Sequence, residues 1–400
     1  MSIKVESKYL HLYNNQDDLL QSDNHDGIQY CIEEDHIHYH DYSKDYLTFE
    51  ILSDGSFGFK FNQLTLNTDY SYIEYSIDNG QTWTRKQPGS SFSSFVFSAV
   101  KGQKWLWRGI GNRTSKNPTS SSYGYECGLY FHSDVSNPAT LNIYGNIMSL
   151  LYGEDFKDKD TLNEGQAFSY LFGPYGYDEN LTSLYVVNAE NLVLPTNLSA
   201  YCFDSLFSGC SKLIKGPNLY AKILKDDCYR SMFSYCLNLI SCPKLEFDTL
   251  DGIYCCERMF EGCSNLIDTP NILKPTQLTS GCYGMMYMDC SKLIKAPTLP
   301  AKQLVSNCYQ YMFSGCESLK IGPSILAETS NTSTTSTYCR SMFRDCTNLI
   351  FIRTFIKQPQ QNWVSNINTK GIIMIPYNNS LPISNSGIPN NWEKIYIDQK

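Results

Sequence analysis

Cys228-Tyr-Arg-Ser-Met232-Phe233-Ser-Tyr-Cys236-Leu-Asn-Leu239 is one of six copies of a single phrase that fills the chain from Cys202 to Cys346 and just beyond. Each copy sets a cysteine, an aromatic, two variable residues, Met-Phe, two more residues, a second cysteine and, three further on, a leucine. The aromatic of the Met-Phe pair falls at Phe207, Phe233, Phe260, Tyr287, Phe313 and Phe343, a step of 26 or 27 residues with one longer step at the end. A fixed period of this size means stacked supersecondary units, none able to bury its apolar face alone. Within a copy the apolar positions lie at i, i+4, i+5 and i+8 (Cys228, Met232, Phe233, Cys236), which predicts one face of a short helix. Leu239-Ile240, Leu266-Ile267 and Leu293-Ile294 each stand three residues before a proline, which predicts a short strand ending at Pro243, Pro270 or Pro297.

The stretch Cys308 to Cys316, together with Ala296 to Ala301 of the neighbouring copy, resembles the BspA-like (treponemal-type) leucine-rich repeats of gut Bacteroidetes and their tailed phages. The resemblance covers residues 145 to 400 and implies an α/β leucine-rich-repeat solenoid. Local departures are the doubled Cys255-Cys256, the run Met285-Met286-Tyr287 and a Ser/Thr-rich insertion from Glu328 to Thr337, which reads as a rim loop. Ala167 to Phe172 looks like a degenerate first repeat. Gly371-Ile-Ile-Met-Ile-Pro and the segment around Trp392 look like the family's C-terminal cap.

Upstream the pattern changes to alternation with period two. Tyr46-Leu-Thr-Phe-Glu-Ile-Leu, Phe57-Gly-Phe-Lys-Phe and Tyr72-Ile-Glu-Tyr-Ser-Ile are punctuated by Asp-Gly at 54–55 and Asn-Gly at 79–80, and four further short runs, from Ser94, Lys104, Gly128 and Thr140, follow before residue 145. That many short strands in a hundred residues predict a β-sandwich. Within it, Ser76-Ile-Asp-Asn-Gly-Gln-Thr-Trp83 resembles the Asp-box of sialidases, a hairpin whose Asp holds the turn and whose Trp packs below. The motif is a fold device, and it occurs once with few arginines nearby, so it implies no glycosidase.

The expected organisation is multidomain: a small β-rich N-terminal anchoring module at 1–44, the β-sandwich at 45–144, the α/β leucine-rich-repeat solenoid at 145–353 with a degenerate first repeat and six further ones, and a C-terminal β cap at 354–400. Residues Ile28 to His40 also resemble short N-terminal pieces of tailed-phage virion proteins, which implies a tether to a particle. His36, His38 and His40 share one strand face and are the candidate metal ligands, set against the plainer reading of a half-exposed strand or interface.

Sixteen cysteines would suggest disulfides in a secreted chain, but fourteen lie at fixed repeat positions. Eight residues apart on a helix, the two of a copy would stand about 12 Å apart, too far for a bridge. Buried reduced thiols acting as small hydrophobes are the expectation, with bridges between neighbouring copies or a metal array as alternatives. A net charge of -8 with no basic stripe argues against nucleic acid. No apolar run is long enough for a membrane helix, and the first twenty residues lack the features of a secretory signal.

Only six histidines are present, five of them before residue 41, and none sits in a catalytic phrase. No enzyme and no cofactor are therefore expected. The candidate binding face consists of two outward rows, Lys215, Ser241, Asp268, Lys295, Ile321 and Phe351, and beside them Asn218, Lys244, Asn271, Thr298, Ser324 and Thr354. The functional expectation is a phage virion display protein, a fibre or decoration. Residues 1–44 would bind other virion proteins and the repeats a host or mucosal surface protein or glycan, with a homo-oligomer compatible. The alternative is a bacterial surface adhesin. The missing secretion signal and the many thiols favour the virion, whose parts assemble in the host cytoplasm.

Overall fold

The structure, a computed structural model, describes residues 2–5, 8–11, 28–33, 36–61, 72–87, 93–110, 129–134, 136–163, 165–173, 182–328, 337–379 and 381–397, with the backbone alone before 40 and at 93. Two antiparallel hairpins begin it. Ser2–Val5 pairs with Lys8–His11, and Ile28–Glu33 with His36–Asp41.

Two sheets then face each other. One runs in the order Val186–Asn188, Leu141–Asn146, Leu47–Ile51, Lys104–Ile110, Tyr72–Ser76, Thr84–Lys86, with Leu192–Val193 also on Leu141–Asn146; the other runs Thr182–Ser183, Leu129–Ser133, Gly55–Phe61, Ser93–Ala99. Alternation sends every second side chain inward. Phe49 and Trp107 from the first sheet meet Phe131 of the second edge to face, at centroid distances of 4.8 and 5.0 Å. At one rim the Asp78 carboxylate accepts hydrogen bonds from the Ser76 hydroxyl and the Thr82 amide, and Trp83 packs against Tyr46 with Arg108 lying 4.0 Å over its ring. Those bonds favour the charged form and hold Asp78 down at about 2, with the Ser76 hydroxyl the largest contributor. Strand Leu141–Asn146 runs through position 144, and both sheets take strands from 182–193, so the sandwich is completed by residues beyond it.

The repeat region departs from expectation. It is not an α/β leucine-rich-repeat solenoid: the single α-helix among the described residues is Ser149–Tyr152, outside every copy of the phrase, and the phrase itself is a run of turns. In the copy from Asp227 to Cys236, the N–H groups of Arg230, Met232, Ser234 and Cys236 each donate to the carbonyl three residues back. Those of Asp227, Tyr229, Ser231, Phe233 and Tyr235 donate to carbonyls of the next copy, from Ile253 to Glu261. Every fourth residue adopts a left-handed backbone: Asp227, Ser231 and Tyr235 here, then Tyr254, Arg258 and Gly262, then Gly281, Met285 and Asp289. Residues four apart thus share a side, as on a helix, which is why the apolar spacing could not separate the two. Each non-glycine left-handed residue costs about 1–2 kcal/mol. Burial outweighs this, since each copy sinks a Met (Leu206 in the first), an aromatic and a Leu worth about 1.5–3 kcal/mol each.

Stacking these turns aligns the aromatics. Phe207, Phe233, Phe260, Tyr287, Phe313 and Phe343 form a column with centroids 5.5–6.0 Å apart and planes within 6°. Trp363 caps it, tilted 54° against Phe343, its indole N–H bonded to the Gly387 carbonyl. A second column of Phe168, Phe203 and Tyr229 resumes at Tyr283 and Tyr309; the doubled cysteine leaves Cys256 in the gap, and Phe247 comes in to lie 6.5 Å from Tyr283.

All fourteen cysteines from Cys202 to Cys346 are free thiols. The second cysteine of each copy donates its S–H to the carbonyl of the aromatic in the preceding copy: Cys236 to Phe207 at 3.2 Å, Cys263 to Phe233 at 3.0 Å, Cys290 to Phe260 at 3.1 Å, Cys316 to Tyr287 at 3.0 Å. A small apolar side chain with one weak donor suits a dry slot facing a carbonyl. Ile321–Ile325 after the fifth copy, Phe351–Thr354 after the sixth, and Ile372–Pro376 and Glu393–Ile397 beyond it form a parallel sheet, and Trp392 closes over Gly371. Among the described residues no helix is long and apolar enough to cross a membrane.

Candidate functional site

Five of the six copies leave their turns through Leu-Ile and the fifth through Leu319-Lys320, and the leucine goes in while the next residue faces out. Ile214, Ile240, Ile267, Ile294 and Ile350 are 39–51% exposed. Backbone hydrogen bonds join them in one ladder, from Ile240 to Ile214, Ile267 to Ile240 and Ile294 to Ile267, then through Lys320 to Ile350. Four exposed isoleucines in succession, Ile214 to Ile294, form a contiguous apolar patch of the kind that marks an interaction surface, and Lys320 separates them from Ile350. This column was not among the sequence candidates, although the recurring Leu-Ile dipeptide announces it.

The first candidate row lies one residue further along. Lys295 pairs with Ile321 and Ile321 with Phe351 in parallel register. Asp268 and Lys295 are exposed, Ile321 is 43% exposed, and Ser241 and Phe351 are half-buried. Lys215 is half-buried and ion-paired to Glu190 at 3.2 Å.

In the second row the Asn218 amide oxygen accepts from the Lys244 N–H at 2.9 Å, Asn271 is exposed, and Thr298 and Ser324 are half-buried. Thr354 corrects the sequence reading: it is fully buried, its hydroxyl accepting from the Ile356 N–H. A register shift after Ile321 places Arg353 opposite Ser324 and Thr354 opposite Ile325, and a one-residue slip turns a side chain to the other face. Arg353 holds the outward slot instead.

Between the second and third copies a groove of about 300 Å³ opens, lined by Cys242, Lys244, Glu246, Asp268, Asn271 and Lys274 among others. Lys222 and Lys274 reach the Glu246 carboxylate at 2.9 Å and Lys244 at 3.3 Å. Lys222 first, then Lys274, hold that carboxyl down at about 2, against partial burial. The Asp268 carboxylate accepts from the Cys242 N–H at 2.8 Å. Three sequence candidates, Lys244, Asp268 and Asn271, therefore share one concavity beside the isoleucine column.

His40 is exposed and bonds Asp45. The side chains of His36 and His38 lie outside the described residues. Among the described residues no group of three or more His, Cys, Asp or Glu is arranged to hold a metal ion. Searches of protein-family models, curated proteins and solved structures find no match to this chain.

Proposed function

We propose that this chain is a binding protein of a phage virion, a fibre or decoration that displays the stacked repeats to a host or mucosal surface. The observation that carries the proposal is the exposed isoleucine column with its rim of varied polar side chains, set on monotonous buried positions. Monotony inside and variety outside suit a scaffold whose surface recognises a partner. The particle setting rests on the resemblance of Ile28 to His40 to virion proteins, and fourteen unpaired thiols suit a chain that folds in a reducing compartment. Residues 1–44 would join it to other virion proteins. A surface adhesin exported from a bacterium would instead meet an oxidising environment.

The test has two arms. Purified particles are assayed for the chain, and the isolated chain is assayed for binding to host cells as wild type and as Ile240→Asp/Ile267→Asp/Ile294→Asp. Presence on particles together with loss of cell binding in the triple variant is expected. Absence from particles sinks the virion setting, and undiminished binding by the variant sinks the recognition face.

A further inference from the structure

A second concavity, of about 480 Å³, lies on the outer side of the first sheet of the sandwich, at the edge where Asn188 pairs with Lys215 of the first repeat. Its floor is a straight cross-strand row. Asn188 stands opposite Asn142, Asn142 opposite Glu50, and Glu50 opposite Lys104, on four neighbouring strands. At the usual strand spacing the row spans about 14 Å. The Asn142 amide donates to one Glu50 carboxylate oxygen at 3.1 Å. Tyr144, two residues along from Asn142, forms one wall with Lys104 Nζ 5.7 Å from its ring. Tyr42 stands edge-on to Tyr144 at 5.4 Å, and His40, bonded to Asp45, stands edge-on to Tyr42 at 4.6 Å.

We propose that this cavity is a binding site for a neutral saccharide of one or two rings. Charge excludes the obvious competitors. An anionic ligand would meet Asp45 and Glu50 with one lysine to offset them, and an apolar ligand would find its floor made of amides, a carboxylate and an ammonium. Planar carboxylate and amide groups in a row offer paired acceptors and donors to adjacent hydroxyls, and tyrosine rings offer apolar faces to the C–H side of a sugar. The volume is within the range of small-ligand sites. The site shares no residue with the isoleucine column and stands independently of the function proposed above.

The full chain is titrated with glucose, galactose, mannose, N-acetylglucosamine and lactose by calorimetry and ligand-observed NMR, with sialic acid and inorganic sulfate as anionic probes. Saturable binding of at least one neutral sugar is expected, weakened at least about tenfold by Glu50→Ala and by Asn142→Ala, since each leaves a partner unpaired. Should either variant fail to fold by circular dichroism, Asn188→Ala and Tyr42→Ala, nearer the cavity's edge, carry the same expectation. The proposal is overturned if no neutral sugar saturates, if the anionic probes bind in preference, or if the floor variants bind as wild type. Sugar binding lost in Ile267→Asp but kept in Asn142→Ala would place the glycan on the repeat face, refuting the cavity and leaving the earlier proposal intact.

Discussion

Asp204 offers a quantitative test of how the first copies are packed. It is 2% exposed, with the Ser205 hydroxyl donating to its carboxylate at 2.9 Å. Burial pushes its carboxyl up to about 7, Asp227 and Glu257 add to the rise, and Arg230 and Ser205 oppose it. An unfolded aspartate titrates near 3.8. Between these values the folded chain holds a proton that the unfolded chain has released, so stability must fall as pH rises from about 4 to about 7. A gap of roughly three units corresponds to about 4 kcal/mol, complete only above the folded value. Asp227, raised to about 6 chiefly by burial, pulls the same way. Asp204→Asn keeps the shape and removes the charge, while Arg230 retains Asp227 and Glu257 at 3.3 Å. Urea unfolding from pH 4.5 to 8 should show wild-type stability declining with pH and the variant declining less. At pH 8 the variant should be more stable by about 2–4 kcal/mol. An unchanged slope, or a variant less stable at pH 8, would refute the burial-raised carboxyl.

Phe260 is held at 5.5 Å by rings on both sides, and Phe260→Ala should cost about 3–5 kcal/mol in denaturant unfolding; a cost below 1 kcal/mol would dissolve the column. Burial drives the thiols upward, Cys255 to about 12, so the thirteen buried thiols between Cys202 and Cys346 should resist a thiol reagent in native protein at pH 8, and unfolding without reductant should release all fourteen, half-buried Cys242 included. Finding most of them oxidised would reverse that inference and favour an exported adhesin. Gly281 has φ of +63° and an added Cβ would lie 2.2 Å from the Tyr254 ring, whereas Gly102, φ +88°, has open space around it. Gly281→Ala should therefore lower the melting temperature more than Gly102→Ala, and equal effects would mean that Tyr254 does not press on the turn.

What the sequence discloses here is position more than conformation. The residues that end up inside, Cys228, Met232, Phe233, Cys236 and Leu239 in one copy, can be picked out by recurrence alone. Their four-residue spacing is common to a helix face and to consecutive turns with a left-handed residue at every fourth place, so the helix was the wrong choice between two patterns that spacing cannot separate. The deciding signal was present at other positions. Gly209, Gly262, Gly315 and Asp345 recur just before the second cysteine, and Asp227 and Asn307 stand just before the first, residue types that tolerate this backbone. Outward positions suffered from a phase error: taking Lys215 rather than Ile214 as the first outward residue hid the isoleucine column. At Thr354 a register shift that no residue type announces moved the side chain inside. The joining of 182–193 to the sandwich was invisible for a simpler reason. Strands of two or three residues carry no period, and only the sheet beside them makes them strands.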